Sequence, residues 1–164
     1  DEIWAVTYSA DPNFGFAYNR AALRKAGMDP DRPPTNIEEL TEMAHRLTRR
    51  ENGVLRQIGL IPWAQYGPAN SMYTWGWAFG GDFYEPTTQK ITADHPRVVK
   101  ALEWMITFAR QYDPAQIASL QAGFGTAEQD PFYTGQMALR CLHIGGIGDI
   151  ERYAPNLDYE VVPI

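Results

Sequence analysis

The sequence predicts an α/β domain, a small mixed sheet covered by helices. Short strand-like stretches interleave with stretches whose apolar residues recur every three or four positions. Turn residues separate them, and no repeat, low-complexity tract or internal linker breaks the order. The 164 residues form one domain, long enough to bury about 70% of the surface that the unfolded chain exposes.

Residues 3–8 carry Ile, Trp, Val, Thr and Tyr and read as a strand. Asp11-Pro12-Asn13 is a turn signal, and Phe14, Phe16 and Tyr18 alternate as a second strand. Asn19 caps a short helix that ends at Gly27. Pro30, Pro33 and Pro34 hold the next link extended. Thr35 and Glu38 form a capping box ahead of Ile37, Leu40, Ala44 and Leu47, whose spacing marks a helix with one apolar face. Glu51-Asn52-Gly53 turns the chain into a strand over 55–61, which Pro62 closes. Pro68 begins a helix to Phe79, and Gly80-Gly81 stops it. A short strand at 90–92 pairs with Phe83-Tyr84. Asp94 caps a long helix that turns Val98, Leu102, Met105, Ile106 and Ala109 to one side. Further helices span Pro114 to Ala122 and Asp130 to Gly135. Residues 137–142 read as a strand, 147–153 as helical turns and 158–163 as the last strand.

Composition excludes several function classes. The net charge of -6 opposes a nucleic-acid groove or an anionic membrane surface, both of which need clustered Lys and Arg. One cysteine, Cys141, permits no intrachain disulfide. With only three histidines beside it, a four-ligand Cys/His site of the structural-zinc kind is not expected, and no cofactor or metal. The longest apolar runs fall short of a membrane span. The first residues, Asp-Glu-Ile-Trp, carry no initiating Met, and both ends read like mid-chain sequence.

Motifs for catalysis are missing: the nucleophile elbow, the P-loop, the His-Glu-x-x-His helix and the dinucleotide fingerprint. Gly145-Gly146-Ile147-Gly148 lacks the P-loop lysine and reads as a tight strand-to-helix turn. Cys141 and His143 share one side of a strand, but Cys141 sits in an apolar run and reads as core. Glu38, Glu39 and Glu42 read as a solvated face with favourable charge at a helix start. Asp82 and Glu85 read as turn and helix-end groups.

The aromatics carry a ligand logic. Residues 63–84 hold eight of the chain's 21 aromatics, which are five Trp, nine Tyr and seven Phe. A sugar ring has apolar C–H faces and hydroxyl-rich edges, so a flat ring covers the face while amides and hydroxyls satisfy the edge. Trp63, Gln65, Tyr66, Asn70 and Ser71 are such a mixture, placed after a strand end and at a helix start. Tyr73 with Trp77, and Trp75 with Phe79, fall on opposite helix faces, so most of that helix reads as core.

A family resemblance rests on Tyr18-Asn19 with Leu23 and Ala26-Gly27, on Pro33-Pro34-Thr35 with Glu38-Glu39-Leu40, on Gly80-Gly81-Asp82, and on Phe132-x-x-Gly135-x-Met137-Ala138-Leu139. In order and spacing these resemble the extracellular solute-binding proteins of ATP-driven sugar importers, the relatives of maltose-binding protein. The resemblance implies one lobe of a periplasmic-binding-protein-like type II fold, here the second lobe, without the first lobe and the C-terminal helices. It implies a non-catalytic, extracytoplasmic protein that holds a mono- or oligosaccharide in an inter-lobe cleft and docks on a membrane permease. It adds ligand contacts at Asp11 and Asn13 after the first crossing, and at His143 and Gly145 after the strand at 137–142. Many relatives carry Gly-x-Trp at that last turn, where this chain reads His143-Ile144-Gly145. An open half-cleft would also make the lobe self-associate. Two other classes stay open: a carbohydrate-active enzyme using Asp82, Glu85 or His143, and a protein-interaction module using the aromatic patch.

Overall fold

A computed structural model describes residues 15–64, 68–122 and 127–163. The expected strand at 3–8 and the turn at 11–13 lie outside these residues.

Strand β1 (Gly15–Asn19) opens the described chain and is buried along nearly all its length. Asn19 caps helix α1 (Arg20–Lys25) by accepting the Ala22 N–H at 2.9 Å. Gly27 then takes φ +67°, the left-handed conformation that ends a helix. Helix α2 (Ile37–Arg46) follows, but its cap sits one residue later than the capping box predicts. Asn36 accepts the Glu39 N–H, and Glu39 reaches back to the Thr35 N–H and hydroxyl. Asn36 competes well for the capping position, and the acid three residues on returns its carboxylate to the residue before the cap, Thr35.

Strands β2 (Arg49–Glu51) and β3 (Val54–Gln57) form a hairpin. Asn52 and Gly53 both have positive φ, which two-residue hairpin turns demand. The expected strand at 55–61 therefore divides. Its first part pairs with β2, while Ile58 leaves the hairpin and bridges Met137 in parallel. Ala138 N–H donates to the Ile58 carbonyl at 3.0 Å, and Leu139 N–H to the Gly59 carbonyl at 2.8 Å. The apolar run at 58–61 is buried throughout, as a strand covered on both faces requires. Gly59 permits the closest approach, since a Cβ there would stand 1.9 Å from the Ala44 carbonyl oxygen.

Helix α3 (Pro68–Ala78) carries the aromatic stretch, and Gly80 at φ +75° ends it. A short hairpin, β4 (Tyr84–Glu85) with β5 (Lys90–Ile91), leads to the long helix α4 (Pro96–Tyr112). His95, not Asp94, caps α4, because Pro96 fits the first helical position and leaves His95 to accept the Arg97 N–H. The buried face of α4 is Val98, Ala101, Met105, Phe108 and Tyr112. Leu102 and Ile106, expected in the core, are 46% and 38% exposed, because α3 and α5 meet α4 on the other side.

Helix α5 (Pro114–Ala122) matches its expected span. The helix expected at 130–135 is a turn. Asp130 accepts the Phe132 N–H with its side chain and the Thr134 N–H with its carbonyl, and Gly135 at φ +75° reverses the chain at once. Strand β6 (Leu139–Leu142) leads straight into helix α6 (Ile144–Tyr153), which begins three residues earlier than expected. Strand β7 (Tyr159–Val162) closes the fold.

The central sheet has the order β6-β1-β7, antiparallel at both pairings. The parallel bridge at Ile58 makes it mixed. Phe16, Tyr18, Leu139 and Cys141 join the large core with α2, α3, α4 and α5, while Ala17 and Leu142 turn to a smaller cluster with Phe132 and Ile150 under α6. Strand alternation thus puts helices on both faces.

Candidate functional site

The segment at 58–61 and β6 run side by side in the same direction, and each feeds a helix. Their C-terminal ends therefore lie at one edge of the sheet. Strand β1 is antiparallel, so its first residue, Gly15, pairs with Leu142 at the same edge. Val162, last in β7, pairs with Phe16 there. This single edge gathers the turn at 62–64, the turn at 143–146, the start of β1 and the end of β7. In α/β folds ligands bind beyond the carboxyl ends of strands.

Trp75 builds the first turn. Its ring is fully buried, and its Nε1–H donates to the Pro62 carbonyl at 2.7 Å. It packs on Trp104 at 4.7 Å, and Trp104 donates from Nε1 to the Thr41 hydroxyl at 2.8 Å. Strand end, α3, α4 and α2 are thereby tied together, and Trp63 rests half-buried against the core. Ser71 is buried and Asn70 half-buried, one turn into α3. At the second turn His143 holds the N-cap position of α6, half-buried, and Gly145 is exposed. Of the predicted contacts, Trp63, Asn70, Ser71, His143 and Gly145 are thus placed by the two elements that leave this edge. Asp11, Asn13, Gln65 and Tyr66 lie outside the described residues. A cavity of about 220 Å³ lies beside the edge, lined by Phe16, Trp75, Ala78, Pro163 and the first turn of α2, but by none of the predicted contacts.

Helix α3 divides its aromatics between two faces. Trp75 faces the core, and Phe79 packs partly against it. Tyr73 and Trp77 stay 43% and 50% exposed, stacked at 5.7 Å, with Phe83 edge-on to both. The core reading of this helix therefore fails for Tyr73 and Trp77. Gly76 makes the cluster possible, since a Cβ there would meet Phe83 at 2.5 Å. The alternation of faces was legible at i, i+4 spacing, but not which face met the core.

Two of the groups offered for catalysis, Cys141 and Glu85, are poorly suited to it. Burial pushes the Cys141 thiol up to about 12, so it is not a ready thiolate. The Thr87 N–H and hydroxyl hold Glu85 below the ordinary carboxylate range, the wrong direction for a general acid, and Glu85 is exposed in a turn. Among the described residues, no three His, Cys, Asp or Glu side chains converge on a metal position. No helix there is long and apolar enough to cross a membrane.

A sheet with helices on both faces and loops gathered beyond its strand ends is a layout that α/β domains use to bind ligands. The chain belongs to the bacterial extracellular solute-binding protein family, whose model it matches over residues 2–140. It is 24% identical over 139 residues to the sn-glycerol-3-phosphate-binding periplasmic protein UgpB of Yersinia enterocolitica, and 23% identical over 137 residues to that of Escherichia coli K12. Each match covers 84% of this chain and 30% of the relative. Among solved structures, CpMnBP1 with mannobiose bound superposes at a TM-score of 0.81 and 27% identity, over 99% of this chain and 42% of that one. A solute-binding protein of Thermotoga lettingae bound with α-D-tagatose shares the fold at a TM-score of 0.70 and 22% identity, over 92% and 38%. The chain thus spans less than half the length of these relatives, and its fold is that of one lobe of the type II class.

Proposed function

We propose that this chain is the second lobe of a two-lobed, non-catalytic binding protein that captures a carbohydrate for an ATP-driven importer. The first lobe faces the edge built by Trp63, Asn70, Ser71 and His143, and the sugar lies between. Binding both lobes at once favours the closed form, which then docks on the membrane permease outside the cytoplasm.

The observation that carries the sugar reading is the neutrality of the edge. Positions 61–64, 70–71, 142–146 and 162–163 hold rings, an amide, a hydroxyl and glycines, and neither Lys nor Arg. A phosphate ester, such as the ligand named for UgpB, calls for a cation or a cluster of donors. A sugar calls for flat apolar rings with neutral polar rims. The exposed Glu85 and the buried Cys141 give the enzyme reading no support.

Tryptophan fluorescence tests this. Mannobiose, a panel of mono- and oligosaccharides and sn-glycerol 3-phosphate are titrated into this chain and into a two-lobed form. The expected result is a response to a sugar in the two-lobed form, and a far weaker one or none in the single lobe. A response to sn-glycerol 3-phosphate alone, or to nothing, overturns the sugar reading.

A further inference from the structure

The cavity beside the edge has two kinds of wall. Its floor is Phe16, Leu40 and Trp75, all buried, with Ile37 and Ala78, half-buried. Its mouth is exposed and formed by Thr35, Asn36 and Pro163. The floor side chains come from β1, α2 and α3 and all pack into the large core, so the slot of about 220 Å³ has a fixed shape.

The polar side chains of the lining are already engaged. Asn36 accepts the Glu39 N–H at 2.8 Å with its amide oxygen and donates from its amide nitrogen to the Thr35 hydroxyl at 3.4 Å. That hydroxyl donates in turn to the Glu39 carboxylate at 2.9 Å. The Trp75 Nε1–H is spent on the Pro62 carbonyl. A sugar ring in the slot would bury its hydroxyls against side chains bonded elsewhere, at the cost of unpaired polar groups. An apolar group carries no such cost, and a slot of this size takes one aromatic ring or a short alkyl chain.

The slot is continuous with the candidate edge. Phe16 lies at the start of β1 and Pro163 just past β7, the parts of both strands that reach that edge. The Trp75 ring that floors the slot also holds Pro62, the residue before Trp63. One molecule can therefore set its polar part against the neutral turns and its apolar part in the slot. We propose that the slot is a subsite for the apolar aglycone of a glycoside, so that this lobe selects sugars carrying an aryl or alkyl group over bare ones. The proposal rests on the carbohydrate reading above.

Calorimetric titration of the two-lobed protein tests it, with paired methyl and phenyl glycosides of mannose, glucose, galactose and mannobiose. In a pair that binds, the phenyl glycoside is expected to bind about tenfold to a hundredfold more tightly than the methyl one, the gain from burying one ring. Ala78→Leu fills the slot, and the two glycosides then bind within about twofold of each other. Ile37→Ala widens it, and a naphthyl glycoside then gains on the phenyl one. This second variant decides the matter where overpacking unfolds Ala78→Leu. Free phenol, the ring without the sugar, binds far more weakly than its glycoside. No gain for the phenyl glycosides in the wild-type protein, a gain untouched by both variants, or phenol binding as tightly as its glycoside overturns the proposal while the sugar reading stands. A protein that binds no sugar, with or without a ring attached, overturns both.

Discussion

Where β1 runs into α1, Tyr18 donates its hydroxyl to Glu160, Arg20 pairs with Asp31, Asp158 and Glu160, and Arg24 pairs with Asp158. At the opposite end of the same strands stand Trp63, His143 and the neutral groups of α3. One end is thus finished by charges that answer each other within the chain and join β1, β7, α1 and the loop at 31. The other end is finished by rings and small polar groups without a Lys, Arg, Asp or Glu at positions 61–64, 70–71, 142–146 and 162–163. The difference separates holding the fold from meeting a ligand: ion pairs lock two strands, whereas an uncharged rim costs little to strip of water when a neutral ligand arrives.

The comparison is broken most strongly at Trp75. Trp75→Ala removes a fully buried ring and the bond that fixes Pro62. A loss of about 3–5 kcal/mol is expected in urea unfolding, a large part of a domain's total stability. A variant near wild type would show that the ligand edge is not built on this ring.

The charged end is probed by alkali. Burial first, then the bond to Glu160 and its charge, push the Tyr18 hydroxyl from the ordinary 10.0 up to about 12, and burial raises the Cys141 thiol from 9.0 to about 12. Both folded values lie above the unfolded ones. Their stabilisation is therefore complete below pH 9 and is lost as the pH rises from there through 12. Unfolding free energy measured against pH should fall across this window, and less steeply in Tyr18→Phe. At neutral pH that variant loses about 1–3 kcal/mol, the scale of a bond to a charged group. A flat profile would show that neither group is held as described.

The mildest change sharpens the contrast. Asn36→Ala removes the cap of α2, which lines the cavity beside the edge but supplies none of the proposed contacts, for about 1 kcal/mol. Thermal unfolding should register it while sugar binding by the two-lobed protein stays unchanged. A binding loss would couple α2 to the edge through the cavity at Thr35, Asn36 and Trp75.

Much of the chain was legible because its signals are local. Asn19 and Gly27 bound α1, the spacing of Leu40, Ala44 and Leu47 set the inner face of α2, and Pro114 to Ala122 gave α5. The misses share another origin. Leu102 and Ile106 sit at helical spacing with Val98 and Met105, yet face water because α3 packs on the adjoining side. The stretch at 55–61 reads as one strand, yet belongs to two sheets, because Ile58 finds Met137 nearly eighty residues away. At the candidate edge, Trp63, Asn70 and Ser71 were readable from residue type and position alone. His143 and Gly145 entered through family resemblance.

Composition, caps, turns and apolar spacing, all short-range properties, determined an acidic α/β chain, the type and order of most of its elements and an aromatic stretch suited to a ligand. Tertiary structure alone decided which apolar faces are buried, that 58–61 leaves its hairpin to lie beside β6, and that Tyr73 and Trp77 remain exposed. Those outcomes depend on which surfaces compete for the same neighbour in the folded molecule, and no local pattern carries that information.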